Sequence, residues 1–92
     1  MSKIYIAGKI TGDADYRKKF NIIEQGLIKH GNKVMNPAVL PDGFEHHEYM
    51  EICYKMIDAC EKVLFLPCWV NSKGAKMEHE YAKDTGKIIC YL

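Results

Sequence analysis

The chain has 92 residues, 48% of them apolar and 27% charged, with a formal net charge of +1, which suits a single globular domain with a modest core. Its 13 Lys and Arg are spread along the sequence. A nucleic-acid polymer would require them clustered, whereas a small anionic ligand needs only one or two local donors.

No apolar run approaches the length of a membrane span. The opening segment, MSKIYIAGK, reads as a strand and not as a signal peptide. Cys53, Cys60, Cys68 and Cys90 form no C-x-x-C pair, so reduced cysteines in a cytoplasmic protein are expected.

In chain order, Lys3 to Ala7 predicts a short buried strand, followed by the turn-rich loop Gly8 to Asp13. From about Asp13 to His30, Tyr16, Phe20, Ile23 and Leu27 recur at helical spacing, and Gly31-Asn32 stops the helix. Lys33 to Asn36 predicts a second strand, ended by Pro37 and Pro41-Asp42-Gly43. A second helix is expected from about Glu45 to Cys60, with Tyr49, Cys53, Met56, Ile57 and Cys60 as its apolar stripe. Val63 to Leu66 is a continuous apolar run, as in a strand buried on both faces. The loop Cys68 to Gly74 leads to a third helix, about Ala75 to Thr85, and Lys87 to Leu92 is a last strand. Alternating strands and helices imply an α/β domain spanning residues 1–92, three-layered and Rossmann-like or flavodoxin-like. It would have a four-stranded parallel sheet in the order 2-1-3-4, with three helices on both faces. In such sheets the ligand crevice lies beyond the carboxyl ends of the strands. The loops 8–12, 36–43 and 67–74 fall there.

Glu78 is the most informative residue. Ala75, Glu78, Tyr81 and Ala82 share one helix face, which turns Glu78 inward one turn from the helix start, while Glu80 faces the other way. An inward carboxylate is costly unless hydrogen-bonded, and a positioned, ionised one can act as a nucleophile. Spacing alone equally allows Glu78 to reach water from the edge of the stripe. Two glycines, Gly8 and Gly12, let backbone approach a ligand closely, with Lys9 and Thr11 adding a charge and a hydroxyl; a plain tight turn reads the same way. The loop is not a P-loop, because G-x-x-x-x-G-K-[ST] is absent. Trp69 can stack on a base or pack across a dimer interface. Asn36 can bind a base or cap its strand. Ser72 can cap the third helix. His46-His47 and His79 lack zinc-site spacing relative to the cysteines, so neither a metal nor a cofactor is expected.

The segments K-I-Y-I-A-G, N-P-A, P-C-W-V-N-S-K-G-A and M-E-H-E-Y-A-K-D-T-G-K-I resemble the nucleoside 2-deoxyribosyltransferase superfamily over nearly the whole chain. The resemblance is weakest from Val39 to Tyr49. It is nearest to a short branch with many phage members, and the chain is also similar to deoxynucleoside 5′-monophosphate N-glycosidases. Gly74, Glu78, Ala82 and Gly86-Lys87 match the family spacing, which implies Glu78 as the nucleophile attacking the anomeric carbon of deoxyribose. Tyr5 matches the strand tyrosine that contacts the catalytic carboxylate, although a core tyrosine is the plainer reading. Ser72, two residues before Gly74, matches the serine that in the nucleotide N-glycosidases helps hold a 5′-phosphate at the helix N-terminus. One departure stands out: the family Asp that assists the leaving base falls at Cys53. Asp58, His46, His47 or a second subunit are the alternatives for that role.

The resemblance implies a nucleoside or nucleotide as the small-molecule partner, cleaved or transferred at its N-glycosidic bond. A non-catalytic nucleotide-binding module on the same fold is the alternative, and an interaction domain with a structural Glu78 is a third. Neither a nucleic-acid polymer nor a membrane is an expected partner. Small size and the family habit of completing sites across subunits predict a homodimer or higher homo-oligomer.

Overall fold

The computed structural model describes residues 2–92. Four strands, β1 (Lys3–Ala7), β2 (Lys33–Met35), β3 (Lys62–Phe65) and β4 (Ile88–Tyr91), alternate with three helices, α1 (Tyr16–Lys29), α2 (His46–Asp58) and α3 (Lys73–Asp84). All pairings are parallel, and the sheet order is β2-β1-β3-β4, as the alternating elements predict.

Strand periodicity divides the core in two. Tyr5, Ala7, Val63 and Phe65 point to one face and pack with Cys53, Ile57 and Cys60 of the α2 segment and Ala82 of α3. Ile6 points to the other face, where Phe20 of α1, Ala38 and Leu66 join it. One helix therefore covers one face and two cover the other.

α1 and α2 are shorter than the ranges the sequence suggests, whereas α3 begins two residues earlier, at Lys73. Residues 10–15 turn back instead of extending α1: Asp13 N–H donates to the Ile10 carbonyl and Tyr16 N–H to that of Asp13, while the Asp13 carboxylate accepts from Asp15 N–H and Lys19 Nζ. Pro67 ends β3 one residue earlier than the apolar run and opens a 3₁₀ turn at Pro67–Asn71. A second 3₁₀ turn, Pro37–Val39, follows β2. These turns put loop residues close together at the carboxyl edge of the sheet. There the ideal Cβ position on Gly8 lies 3.1 Å from Leu66 Cβ. This close approach of β1 to the end of β3 is a packing reason for glycine.

Candidate active site

The carboxyl edge carries a cavity of about 320 Å³ between β1, α2, α3 and the 36–43 loop. Its wall includes Tyr5, Gly8 and Thr11 from the first strand and loop, Ser72, Gly74, Ala75 and Glu78 from α3 and its cap, and Cys53 from α2. Six of the residues singled out by sequence thus converge: Glu78, Tyr5, Gly8, Thr11, Ser72 and Gly74.

Glu78 is buried with only 6% exposure, because Ala75 and Ala82 on the same face of α3 let the helix sit close on the sheet. Tyr5 is fully buried, and its Oη donates to Glu78 Oε2 at 2.7 Å across 73 residues of sequence. Burial raises the Glu78 carboxyl to about 7, opposed by hydrogen bonds from Tyr5 and Cys53. Burial, followed by the neighbouring Glu78, holds the Tyr5 phenol well above its usual value. The same two causes push the Cys53 thiol up to about 12. Glu78 is therefore divided between acid and carboxylate near neutral pH, with two protonated donors beside it.

Ser72 performs its capping role: its Oγ accepts from Ala75 N–H at 3.1 Å. It also lines the cavity, so the cap and a ligand-facing position coincide at the positive end of α3.

Four residues are placed elsewhere. Trp69 stacks on His79 with ring centroids 4.3 Å apart and packs on Phe65 and Tyr91, outside the cavity wall. Asn36 is buried, and its side chain is spent locally: Oδ1 accepts from Ala38 N–H and Nδ2 donates to Glu24 Oε1, both at 2.8 Å. Lys9 and Gly12 lie in the β1–α1 loop but not in the wall. Gly12 adopts a φ of 85°, the conformation that favours glycine.

Besides His46, the structure adds wall residues that sequence reasoning did not single out: Ile10, Tyr16, Pro37, Leu40, Asp42, Tyr49 and Met50. Part of this was within reach, because His46, Met50 and Cys53 follow one another at four- and three-residue spacing and share a face of α2. Of Asp58, His46 and His47, the alternatives within this chain for the missing Asp, only His46 lines the cavity. Its Cε1 lies 3.7 Å from the Cβ position on Gly74. The Asp58 carboxylate instead accepts from Tyr81 Oη. Arg17 latches the 36–43 loop by donating to the carbonyls of Ala38 and Leu40 and to the Asp42 carboxylate. Among the described residues, no group of three or more His, Cys, Asp or Glu is arranged to hold a metal ion. No helix there is long and apolar enough to cross a membrane.

Residues 2–91 match the family described as Domain of unknown function (DUF4406). Among solved structures, the chain is similar to a 2-desoxiribosyltransferase from Leishmania mexicana. That similarity has a TM-score of 0.79 at 18% identity and covers 100% of this chain and 64% of the other. The likeness establishes the shared fold, and this chain spans less than two thirds of that neighbour. A 69-residue stretch, 75% of the chain, is 30% identical to RNA-directed RNA polymerase L of Lymphocytic choriomeningitis virus (strain Armstrong). The match spans 2% of that protein.

Proposed function

The chain belongs to the DUF4406 family, and on that premise we propose that it binds a deoxynucleoside or its 5′-monophosphate and cleaves or transfers at the N-glycosidic bond. Glu78 is the nucleophile and Tyr5 orients it. The observation that carries this reading is the buried 2.7 Å hydrogen bond from Tyr5 to Glu78 in the wall of a cavity at the carboxyl edge of a parallel sheet. The fold shared with a 2-desoxiribosyltransferase supports the same reading.

In the proposed reaction the ionised Glu78 attacks the anomeric carbon and the base departs. Water or a second base then resolves the glycosyl ester, returning the carboxylate. Tyr5 favours the ionised form through a charge-assisted hydrogen bond. Ser72, Gly74 and the first turn of α3 take a 5′-phosphate, with Gly8 and Thr11 across the cavity from them. Trp69, outside the wall, acts on neither sugar nor base in this scheme.

A second reading is favoured by one observation, the thiol at Cys53 where an acid would assist the leaving base. The domain then binds a nucleotide without turning it over. Incubation with deoxynucleosides and their 5′-monophosphates, followed by chromatography of free base, separates the two. The first reading expects release by the wild type and none by Glu78→Ala. Calorimetric binding with no release by either protein selects the second, and absence of binding removes both.

A further inference from the structure

A neutral purine or pyrimidine leaves an anomeric carbon with a proton arriving on the base, and a positioned acid for that transfer is worth about 10²–10⁴ in rate. The groups beside Glu78 are poor sources. The Tyr5 phenol already donates to the carboxylate. Cys53 is a buried thiol, pushed up to about 12 chiefly by burial. His46 stands at the Ser72–Gly74 end of the cavity, the end where the first turn of α3 attracts an anion.

The wall also has an uneven charge. Among the described residues that line it there is no Lys or Arg, whereas Glu78 is a buried carboxylate and Tyr49 presents an aromatic ring; the Asp42 carboxylate is paired with Arg17 at 3.1 Å and the Tyr16 ring lies under the same guanidinium at 5.0 Å. Arg17 lies outside the wall and spends its donors on the 36–43 loop. The Glu78 carboxylate and the Tyr49 ring, in a concave, partly dry site with no lining Lys or Arg, suit a cation better than a neutral heterocycle.

We infer that, within the glycosidic chemistry proposed above and resting on it, the site takes N-glycosides whose base carries a fixed positive charge, such as a pyridinium or an N-alkylated purinium. A Glu78 carboxylate oxygen forms a bond to the anomeric carbon while the bond from that carbon to the ring nitrogen breaks. The electron pair neutralises the cationic nitrogen, so the base leaves neutral and takes no proton. Water then adds to the anomeric carbon, the ester bond breaks back to the Glu78 carboxylate, and the water proton passes to solvent. The net change is cationic nucleotide plus water to neutral base, free sugar phosphate and one proton.

A matched pair tests the substrate class: 7-methyl-2′-deoxyguanosine 5′-monophosphate and dGMP differ only by the methyl group that fixes the charge. The 2′-deoxy form of nicotinamide mononucleotide separates pyridinium from purinium. With enzyme-free release subtracted, kcat/KM is expected to be at least about 100-fold higher for the cationic compounds. The pH profile with the pyridinium compound, whose ring charge does not titrate, should rise to a plateau with no falling limb. Cys53→Asp is expected to raise the cleavage of dGMP relative to that of the methylated compound, narrowing the ratio between the two. Comparable cleavage of dGMP by the wild type, or a bell-shaped profile with the pyridinium compound, overturns the substrate class and leaves the glycosidic reading standing. Release from none of the compounds takes down both. The wild-type profile decides the matter even where Cys53→Asp fails to fold.

Discussion

Glu78 gives up most of its contact with water, and burial raises its carboxyl from 4.5 to about 7. The sign of the linked stability effect follows. The folded state holds the proton more tightly than the unfolded chain, so stability falls as pH rises from about 4.5 to about 7 and is level above that. The full effect is about 3 kcal/mol at most. Glu78→Gln keeps an acceptor for Tyr5 and loses the titration. Urea denaturation at pH 5 and pH 8 should therefore show the variant gaining on the wild type at the higher pH. Tyr5→Phe removes the main donor to the carboxylate, so Glu78 ionises at still higher pH. The rising limb of the activity profile should move upward, with neutral-pH turnover down on the order of 10-fold for each pH unit moved. A profile that stays in place would show that Tyr5 is merely packed there.

Among the elements, α3 carries the site because its inward stripe is small at Ala75 and Ala82, both almost wholly buried, and acidic between them. Its first turn depends on Ser72, so Ser72→Ala should cost about 1 kcal/mol in denaturation experiments. A weaker preference for 5′-phosphates over nucleosides should accompany it if the cap also faces the ligand. Gly8 is constrained differently: a methyl there meets Leu66 Cβ at 3.1 Å. Gly8→Ala should therefore push the 8–12 loop from the end of β3, lowering nucleotide affinity with a modest loss of stability that calorimetry and denaturation would separate. The stripe of α3 was legible in the sequence because helical spacing alone puts residues 75, 78 and 82 together. The wall built by residues 37–50 was not. Three- and four-residue spacing places His46, Met50 and Cys53 on one face of α2, but no local pattern says that this face meets a loop latched by Arg17 across 25 residues of sequence.

On the scale of the molecule, one sheet face is covered by α2 and α3 while α1 alone serves the other, packing on β2 and the 3₁₀ turn after it. By register, Ile88 and Cys90 share the α1 face with Ile6 and Leu64. Ile88 and Leu92 are more than half exposed there. A chain of this size gains from covering such a surface, and we propose that a second copy does so. Sedimentation velocity at micromolar concentration should show a dimer or larger species, and Ile88→Lys should shift it to monomer with the fold intact. A monomeric wild type removes the proposal.

Composition and periodicity by themselves determined the order of elements and the parallel α/β sheet, and placed Glu78 on or beside the inward stripe of α3, since spacing within a segment sets its type and the alternation of strands and helices sets the class of sheet. Only the tertiary structure decided that the Tyr5 hydroxyl reaches that carboxylate, that His46 enters the cavity, and that Trp69 and Asn36 are occupied elsewhere. Those outcomes depend on which distant segments meet at the edge of the sheet, and on which polar groups find partners once water is excluded.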